Sequence, residues 1–460
     1  MSNGLLPNYL KSASPNPSEN RAPWYKNTAP SYAGIFLSVP FMAGMAGALQ
    51  YGSVWAAMVG LFLGALFCFV LYYIPGMLGL KTGMPLYVVG SSTFGTQGGI
   101  VMPGLLMGVL QIGWHAVFTF SAASFFMSAI GSEAGPNTGL FWLVCIVWGI
   151  AFAFVGAVGI KWLGWMSSWL PIFPLLIIVI AGLANLGGLS KFSSVISIKT
   201  AGVLIPVFGL GAFAALQAAA GFFATAGAAG ADFAMNSRNR KDVVLGGLFG
   251  ITIAALVAGF FAILTIAGAI GKNPEIAVNA GMGTGQLDVF TAFITSIGEV
   301  GALSKIMFWV FVIACICPTG FCAFLAANAF STMFPKLPRV GLTLAAGAIG
   351  VVLAATGAAN NLVGFFLIIG ASFGPIIGAM TADYLRHGKW SGPRKGINWA
   401  GYIAWAIGFV VGILGKIPFI GFSYGLATLM SFMVGFAVYL ILADIGLEPE
   451  TVELGSAEKV

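Results

Sequence analysis

The chain has 460 residues, 59% hydrophobic and 7% charged, with 65 glycines and a formal net charge of +7. Soluble domains run at roughly 45–50% apolar and about 25% charged, with about 7% glycine. So few charges cannot cover a soluble fold of this length. That excludes a secreted disulfide scaffold, a nucleic-acid binder and a disordered chain, and leaves a polytopic membrane protein.

Residues 1–30 are polar and rich in Pro, Asn and Ser, with no apolar core before a cleavage site. They read as a cytoplasmic tail rather than a signal peptide. A spanning helix needs about 20 mostly apolar residues, so uncharged windows measure out the spans. No charge intervenes between Lys26 and Lys81, which leaves room for two. Thr82–Gly99 is dotted with Gly, Ser and Thr and reads as an interfacial or re-entrant stretch before a continuous third span, Ile100–Ile130. The windows 134–160, 162–190, 200–231, 243–271 and 306–335 hold one span each. The window 340–382 holds two, turning at Thr356–Asn361, and 396–415 and 417–443 hold one each.

Charge fixes the count and the orientation. With twelve spans and an inside N-terminus, only Lys191, Lys199, Lys272, Lys305 and Lys416 of the 20 Lys and Arg lie outside. Thirteen spans would put Arg386, Lys389, Arg394 and Lys395 outside, against the preference of basic residues for the cytoplasmic side. The expectation is therefore twelve spans with both termini cytoplasmic. The net positive charge is then cytoplasmic anchoring and calls for no nucleic-acid partner. The acidic residues after Asp444 (Glu448, Glu450, Glu453, Glu458) read as a short solvated tail. The five cysteines all lie in apolar windows, where a free thiol behaves as a small hydrophobe. No His, Asp or Glu stands near Cys315, Cys317 and Cys322 in sequence, so no metal site is expected.

Two spans stand out for helix breakers. The first contains Pro40, Gly44 and Gly47, and the sixth, Gly202–Met235, contains Gly221, Gly227 and Gly230. Backbone groups freed by a break in lipid must be satisfied by protein, water or a ligand. Interrupted spans five apart point to an inverted-repeat transporter with its site near the midplane; close helix packing by small residues is the alternative. Spans nearly free of charge suit a neutral polar substrate.

Polar residues within the spans are few. Gln111 and Trp114 are three apart on one face of the third span. Such an amide and indole suit a flat heterocycle, one bonding its edge and the other stacking on its face; ordinary packing would also accommodate them. His115, one residue on, lies about 100° round the helix and reads as a packing residue or a proton relay. In the eighth span Pro318 and Gly320 weaken the helix, and Thr319 offers a hydroxyl to a hard cation or to its own helix carbonyl. Gln217 in the sixth span resembles Gln111 in kind. Asp232 and Asp383 end the sixth and tenth spans among basic residues. Both read as a solvated salt bridge or a cytoplasmic gate: the salt bridge is favoured for Asp383, and for Asp232 the two readings stand level.

Several runs, taken in order, resemble the nucleobase:cation symporter-1 family. They are PWYKNTAPSYAG at 23–34, GLKTG at 79–83 with FG at 94–95, QIGW at 111–114, ADF at 231–233 with its basic tail, TADYL at 381–385 and NW at 398–399. The resemblance implies an all-α membrane protein of twelve helices with a leucine-transporter-like fold. Its two inverted five-helix repeats would be 31–190 and 200–385, followed by two additional helices in 396–445 and a cytoplasmic tail at 446–460. It also implies multi-pass insertion in the bacterial inner membrane and alternating-access symport of a nucleobase or related cyclic ureide, driven by Na+ or H+. Carried over residue by residue, Gln111 and Trp114 contact the heterocycle, and Phe222, Phe223 and Thr225 line it from the sixth span. Val39 and Met42, with Cys315 and Thr319, surround the cation. The eighth-span hydroxyl pair of the cytosine and hydantoin transporters falls on Pro318 and Thr319, a substrate-holding Asn on Gly320, and an Arg before FG on Ser91. No cofactor and no covalent chemistry are expected: with two His and almost no buried carboxylates, the spans lack the clusters an enzyme requires. A passive channel or facilitator, or a same-fold carrier of amino-acid-like substrates, are the alternatives.

Overall fold

The computed structural model describes residues 6–11, 13–192, 207–283, 286–334, 336–417 and 425–454. The predicted start of the sixth span at 202–206, Lys199 and the end of the C-terminal tail at 455–460 lie outside the described residues. Among the described residues the structure is helical, without a named strand. Ten helices are long and apolar enough to cross a membrane: Val54–Thr82, Ile100–Ile130, Gly139–Val158, Lys161–Lys191, Phe208–Ala228, Arg240–Lys272, Gly301–Met333, Leu362–His387, Trp399–Lys416 and Ala427–Asp444. The pair Thr28–Phe36 and Val39–Leu49, bent by 51°, makes an eleventh if taken as one span. The predicted ninth span falls on Arg339–Ala355, an apolar helix of 17 residues. The elements follow the predicted order, so the bent pair stands first and Ala427–Asp444 twelfth. A count of twelve requires both the bent pair and the short ninth helix to cross.

The first span breaks where its sequence demands. Pro40 lacks a backbone N–H and its ring clashes with the carbonyl four residues earlier. The chain accordingly leaves the helix at Leu37, extends at Ser38 and restarts at Val39 with Pro40 in its opening turn. The sixth span breaks at Ala229, between Phe208–Ala228 and the short helix Gly230–Ala234. That break lies near the span's end rather than beside Phe222 and Thr225. The eighth span is divided at Cys315, one turn ahead of Pro318, which has no N–H to offer the preceding turn.

Second and sixth spans approach closely through glycine. A Cβ at Gly60 would strike the Ala212 carbonyl, and one at Gly79 the Ala231 carbonyl. Small residues permit such approach in lipid, where packing rather than the hydrophobic effect holds helices together. Two helices were not expected, Glu275–Asn279 and Val289–Gly298 between the seventh and eighth spans. Their charged flanks removed this region from the apolar windows. Asp288 nonetheless caps the second of them through the Thr291 amide at 2.9 Å, and its buried Phe290 and Phe293 pack on Phe120 and Phe125 of the third span. Thr82–Gly99 holds two short helices, Leu86–Val89 and Ser91–Phe94. The expected N-terminal tail is docked rather than free: the Asn16 amide donates to the Gly83 carbonyl at 2.8 Å, and Arg21 to the Leu80 carbonyl at 3.1 Å.

Candidate functional site

Trp114 lies at the meeting of four spans. It is 5% exposed, and its indole Nε1 donates to the Thr225 hydroxyl of the sixth span at 3.3 Å. Phe222 meets it edge-on at a centroid distance of 5.3 Å, Phe365 of the tenth span edge-on at 5.1 Å, and Phe366 tilted at 5.9 Å. Phe222 in turn contacts Phe36 and Phe41, which flank the first-span break, at 5.7 and 5.1 Å. Aromatic rings prefer such tilted and edge-on arrangements because their faces are negative and their edges positive. An inserted planar ring would find the same preferences met. Gln111, also buried, sends its amide to the Met107 sulfur at 3.6 Å. A thioether is a weak acceptor, so this amide is easily redirected to a ligand. Ser38 Oγ at the first-span break and Gln217 Nε2 in the sixth span are buried without a hydrogen-bond partner.

The remaining candidates divide. Phe223 turns toward the first span, stacking on Phe36 at 5.1 Å and meeting Tyr32 at 5.5 Å, rather than toward Trp114. Val39 and Met42 are buried in the restarted first-span helix, which packs on the third, sixth, seventh and tenth spans and on Val289–Gly298. Thr319 faces the third and fourth spans. Its hydroxyl donates to the Cys315 carbonyl at 2.6 Å and accepts from Trp148 Nε1 at 3.4 Å, while its carbonyl meets His115 Nδ1 at 2.9 Å. A side chain at Gly320 would meet Leu163 and the Phe152 carbonyl. The structure thus brings Gln111, Trp114, Phe222 and Thr225 together with Phe36, Phe41, Phe365 and Phe366. Thr319 and Gly320 it turns toward the third, fourth and fifth spans. Apolar clefts of about 260 and 270 Å³ open elsewhere, one beside Ile112 and Phe330 and one beside Ala406 and Val410.

The two aspartates share one partner segment. Asp232 Oδ1 accepts from the Leu86 amide at 3.3 Å, a carboxylate at the start of a short helix. Asp383 is not the solvated residue expected from sequence: it is 3% exposed. Its Oδ2 accepts from the Ser92 and Thr93 hydroxyls at 2.7 and 3.1 Å, and its Oδ1 pairs with Arg394 at 3.1 Å. The segment between the second and third spans is therefore tied to the sixth span at one end and to the tenth at the other. Arg394, expected in a cytoplasmic loop, is 2% exposed. Burial opposes its charge, but the carboxylates of Asp383 and Glu448 outweigh burial and hold the guanidinium above its usual pKa. Ligand atoms of Asp383, His387 and Glu448 lie within 4.8 Å of one another. Arg394 already bonds both carboxylates there and supplies the positive charge such a set would otherwise take from an ion.

Sequence reasoning missed the four phenylalanines and Arg394. With 39 Phe in the chain, no single ring stands out. Paired rings at 222–223 and 365–366 give no separate signal, since the same pair recurs at 125–126 and 260–261. Little local marks Arg394: besides Ser391 three residues earlier, its partners come from positions 92, 383 and 448.

The sequence model of a family described as permeases for cytosine/purines, uracil, thiamine and allantoin matches residues 15–438. Cytosine permease from Escherichia coli strain K12 is 26% identical over 356 residues, covering 73% of each chain, and that of strain O157:H7 matches equally. Among solved structures, an inward-facing conformation of Mhp1 aligns with a TM-score of 0.69 at 17% identity, covering 96% of this chain and 97% of that one. Mhp1 in a closed conformation with bromovinylhydantoin bound, described as a nucleobase-cation-symport-1 family transporter, aligns at 0.59 and 16%, covering 94% and 95%. A Na+-coupled sialic acid symporter aligns at 0.61 and 15%, covering 94% and 92%. These likenesses establish the leucine-transporter-like fold.

Proposed function

The chain belongs to the permease family for cytosine/purines, uracil, thiamine and allantoin, and we propose that it imports a flat nucleobase-like heterocycle by cation symport with alternating access. It is a membrane transporter of nucleobase-like substrates and not an enzyme. The observation that carries the finer reading is the aromatic cluster on Trp114, assembled from the first, third, sixth and tenth spans. The ring of the substrate stacks on Trp114 between Phe222 and Phe365. Gln111, bound only weakly by sulfur, turns to the heterocycle edge, and the Thr225 hydroxyl supplies a second polar contact. A buried polar group left unpaired costs roughly 1–3 kcal/mol, so ring nitrogens and carbonyls are selected by what Gln111 and Thr225 can satisfy. Elements on both sides of the cluster belong to spans with breaks, which suits closure from either side in turn. The basic face of the molecule is read as cytoplasmic, from the lysine and arginine distribution.

The coupling ion is Na+ or H+ in this reading. Na+ takes hard oxygen ligands, and beside its break at Cys315 the eighth span offers one hydroxyl, Thr319, already engaged by Cys315 and Trp148. That engagement favours a second reading, facilitated movement without Na+. A thermal-shift screen of purified protein against nucleobases, hydantoins, allantoin and pyrimidine vitamin precursors, with and without Na+, identifies the ligand and any Na+ linkage. A ligand at 100 times its Kd stabilises by about 2.7 kcal/mol. Symport requires that the ion strengthen substrate binding and the reverse. In proteoliposomes, accumulation against a gradient under imposed Na+ or H+ gradients supports symport; equilibration alone under both refutes it.

A further inference from the structure

We propose that the C-terminal segment Glu448–Val452 is a latch on the basic face, with Glu448 completing the charge of Arg394 and so holding the 91–97 segment closed against the tenth span. Three stretches lie against one another there, and the connector between the tenth and eleventh spans is the middle one. On one side the connector binds the 91–97 segment. Arg394 N donates to the Ser91 carbonyl at 3.1 Å, Asn398 N to the Phe94 carbonyl at 3.0 Å, Thr96 N to the Arg394 carbonyl at 2.7 Å and Gln97 N to the Gly396 carbonyl at 2.9 Å. On the other side it binds the tail: Lys395 N donates to the Glu450 carbonyl at 3.0 Å, and Val452 N to the Pro393 carbonyl at 2.8 Å.

The Arg394 guanidinium passes through all three layers. It donates to the Ser92 carbonyl at 2.6 Å, pairs with Asp383 at 3.1 Å and with Glu448 at 3.0 Å. Glu448 is held in turn by the Tyr439 hydroxyl at 2.7 Å. It also lies 3.8 Å from Arg386 and 3.9 Å from His387. Asp444 pairs with Arg386 as well. A charge buried to this degree is costly unless it is paired and its remaining protons are hydrogen-bonded. Asp383 shares its two oxygens among Arg394, His387 and the Ser92, Thr93 and Ser391 hydroxyls, so the tail carboxylate adds a second, less divided anion to Arg394 from the opposite side. The far end of the same segment is tied to the sixth span by Asp232. Any movement of the sixth span against the tenth must therefore work against this layered contact, and the tail sets its strength.

The consequence for transport rests on the proposed function, but the structural claim is tested without it. Hydrogen exchange reports local opening as a free energy of its own. In the full-length protein in detergent, Glu448→Gln is expected to raise amide exchange of Thr96 and Gln97 about tenfold while the apolar spans keep their protection. Wild-type protection at Thr96 and Gln97 in folded Glu448→Gln, with peptide 446–454 exchanging freely, overturns the latch. If Glu448→Gln does not fold, Val452→Pro decides. It removes the amide that donates to Pro393 and leaves every charge in place, and the same two results carry the same two meanings. In proteoliposomes the latch-weakened variant is expected to change maximal uptake rate severalfold with KM within about twofold. A protein that transports nothing refutes the function while leaving the exchange result intact.

Discussion

Replacing Trp114 is the most direct test of the substrate site, because structural and binding costs can be worked out separately. Trp114→Ala removes the indole from contact with Phe118, Phe222, Phe365 and Phe366 and takes away the donor to Thr225. Truncating a buried aromatic to alanine costs about 3–5 kcal/mol of folding stability, so loss of uptake by itself would not identify a binding residue. Trp114→Phe keeps a ring against Phe222 and Phe365 and gives up one neutral hydrogen bond, worth about 0.5–1.5 kcal/mol. Stacking of a base on an aromatic side chain is worth about 1–3 kcal/mol by alanine substitution, which corresponds to a roughly 5- to 150-fold weaker Kd. The expected series is therefore wild-type affinity reduced less than tenfold in Trp114→Phe and by 5- to 150-fold (about 1–3 kcal/mol) in folded Trp114→Ala. Titration calorimetry with a heterocycle that stabilises the wild type measures Kd, and proteoliposome uptake measures the consequence. Folded Trp114→Ala with wild-type Kd and uptake would refute the site. Thr225→Val adds a check: it leaves the indole N–H without its acceptor at about 1–3 kcal/mol. The same change in the Trp114→Phe background costs less, and the double-mutant difference of about 1 kcal/mol measures the bond.

Gly79→Ala drives a methyl group at the Ala231 carbonyl and Gly60→Ala at the Ala212 carbonyl. Each is expected to lower stability by about 1–3 kcal/mol through overpacking, whereas Gly164→Ala, with open space at its Cβ, is neutral or stabilising by thermal unfolding in one detergent. Arg394→Met leaves two carboxylates without their shared cation and is expected to cost about 3–5 kcal/mol. Asp383→Asn in the same chain recovers part of that loss, and no recovery would show that the ion cluster is not what fails. Thr319→Val removes the hydroxyl that an Na+ site would use. If Na+ is coupled there, it abolishes the Na+-dependent part of the ligand thermal shift; an unchanged Na+ effect excludes Thr319 as a ligand.

The sequence by itself determined the class of protein, the order of the spans and the place where the first one breaks. These follow from local rules: charges cannot enter lipid, and proline cannot continue a helix, so Lys26, Lys81 and Pro40 act wherever the chain goes. The pair Gln111 and Trp114 was legible for the same reason, since two residues three apart on a helix share a face whatever surrounds them. The facing partner was not. Thr225 and Phe222 were placed at the site by resemblance alone, while Phe36, Phe41, Phe365 and Phe366 emerged only with the packing of four spans. Gly320 and Thr319, adjacent to the site by the same resemblance, are turned by helix rotation toward Leu163 and Trp148. The widest departures lie at the basic face. Asp383 and Glu448 read as solvated charges and Arg394 as one basic residue of a cytoplasmic loop, because a charge in a loop is ordinarily exposed. Tertiary structure folded three loops over one another, burying Arg394 and Asp383 and half-burying Glu448, and burial is tolerable there because the charges pair with one another. Local physics decides where a chain enters and leaves the membrane; which loop closes over a charge depends on segments about 300 residues apart, as Ser92 and Arg394 are, and no window of sequence contains both.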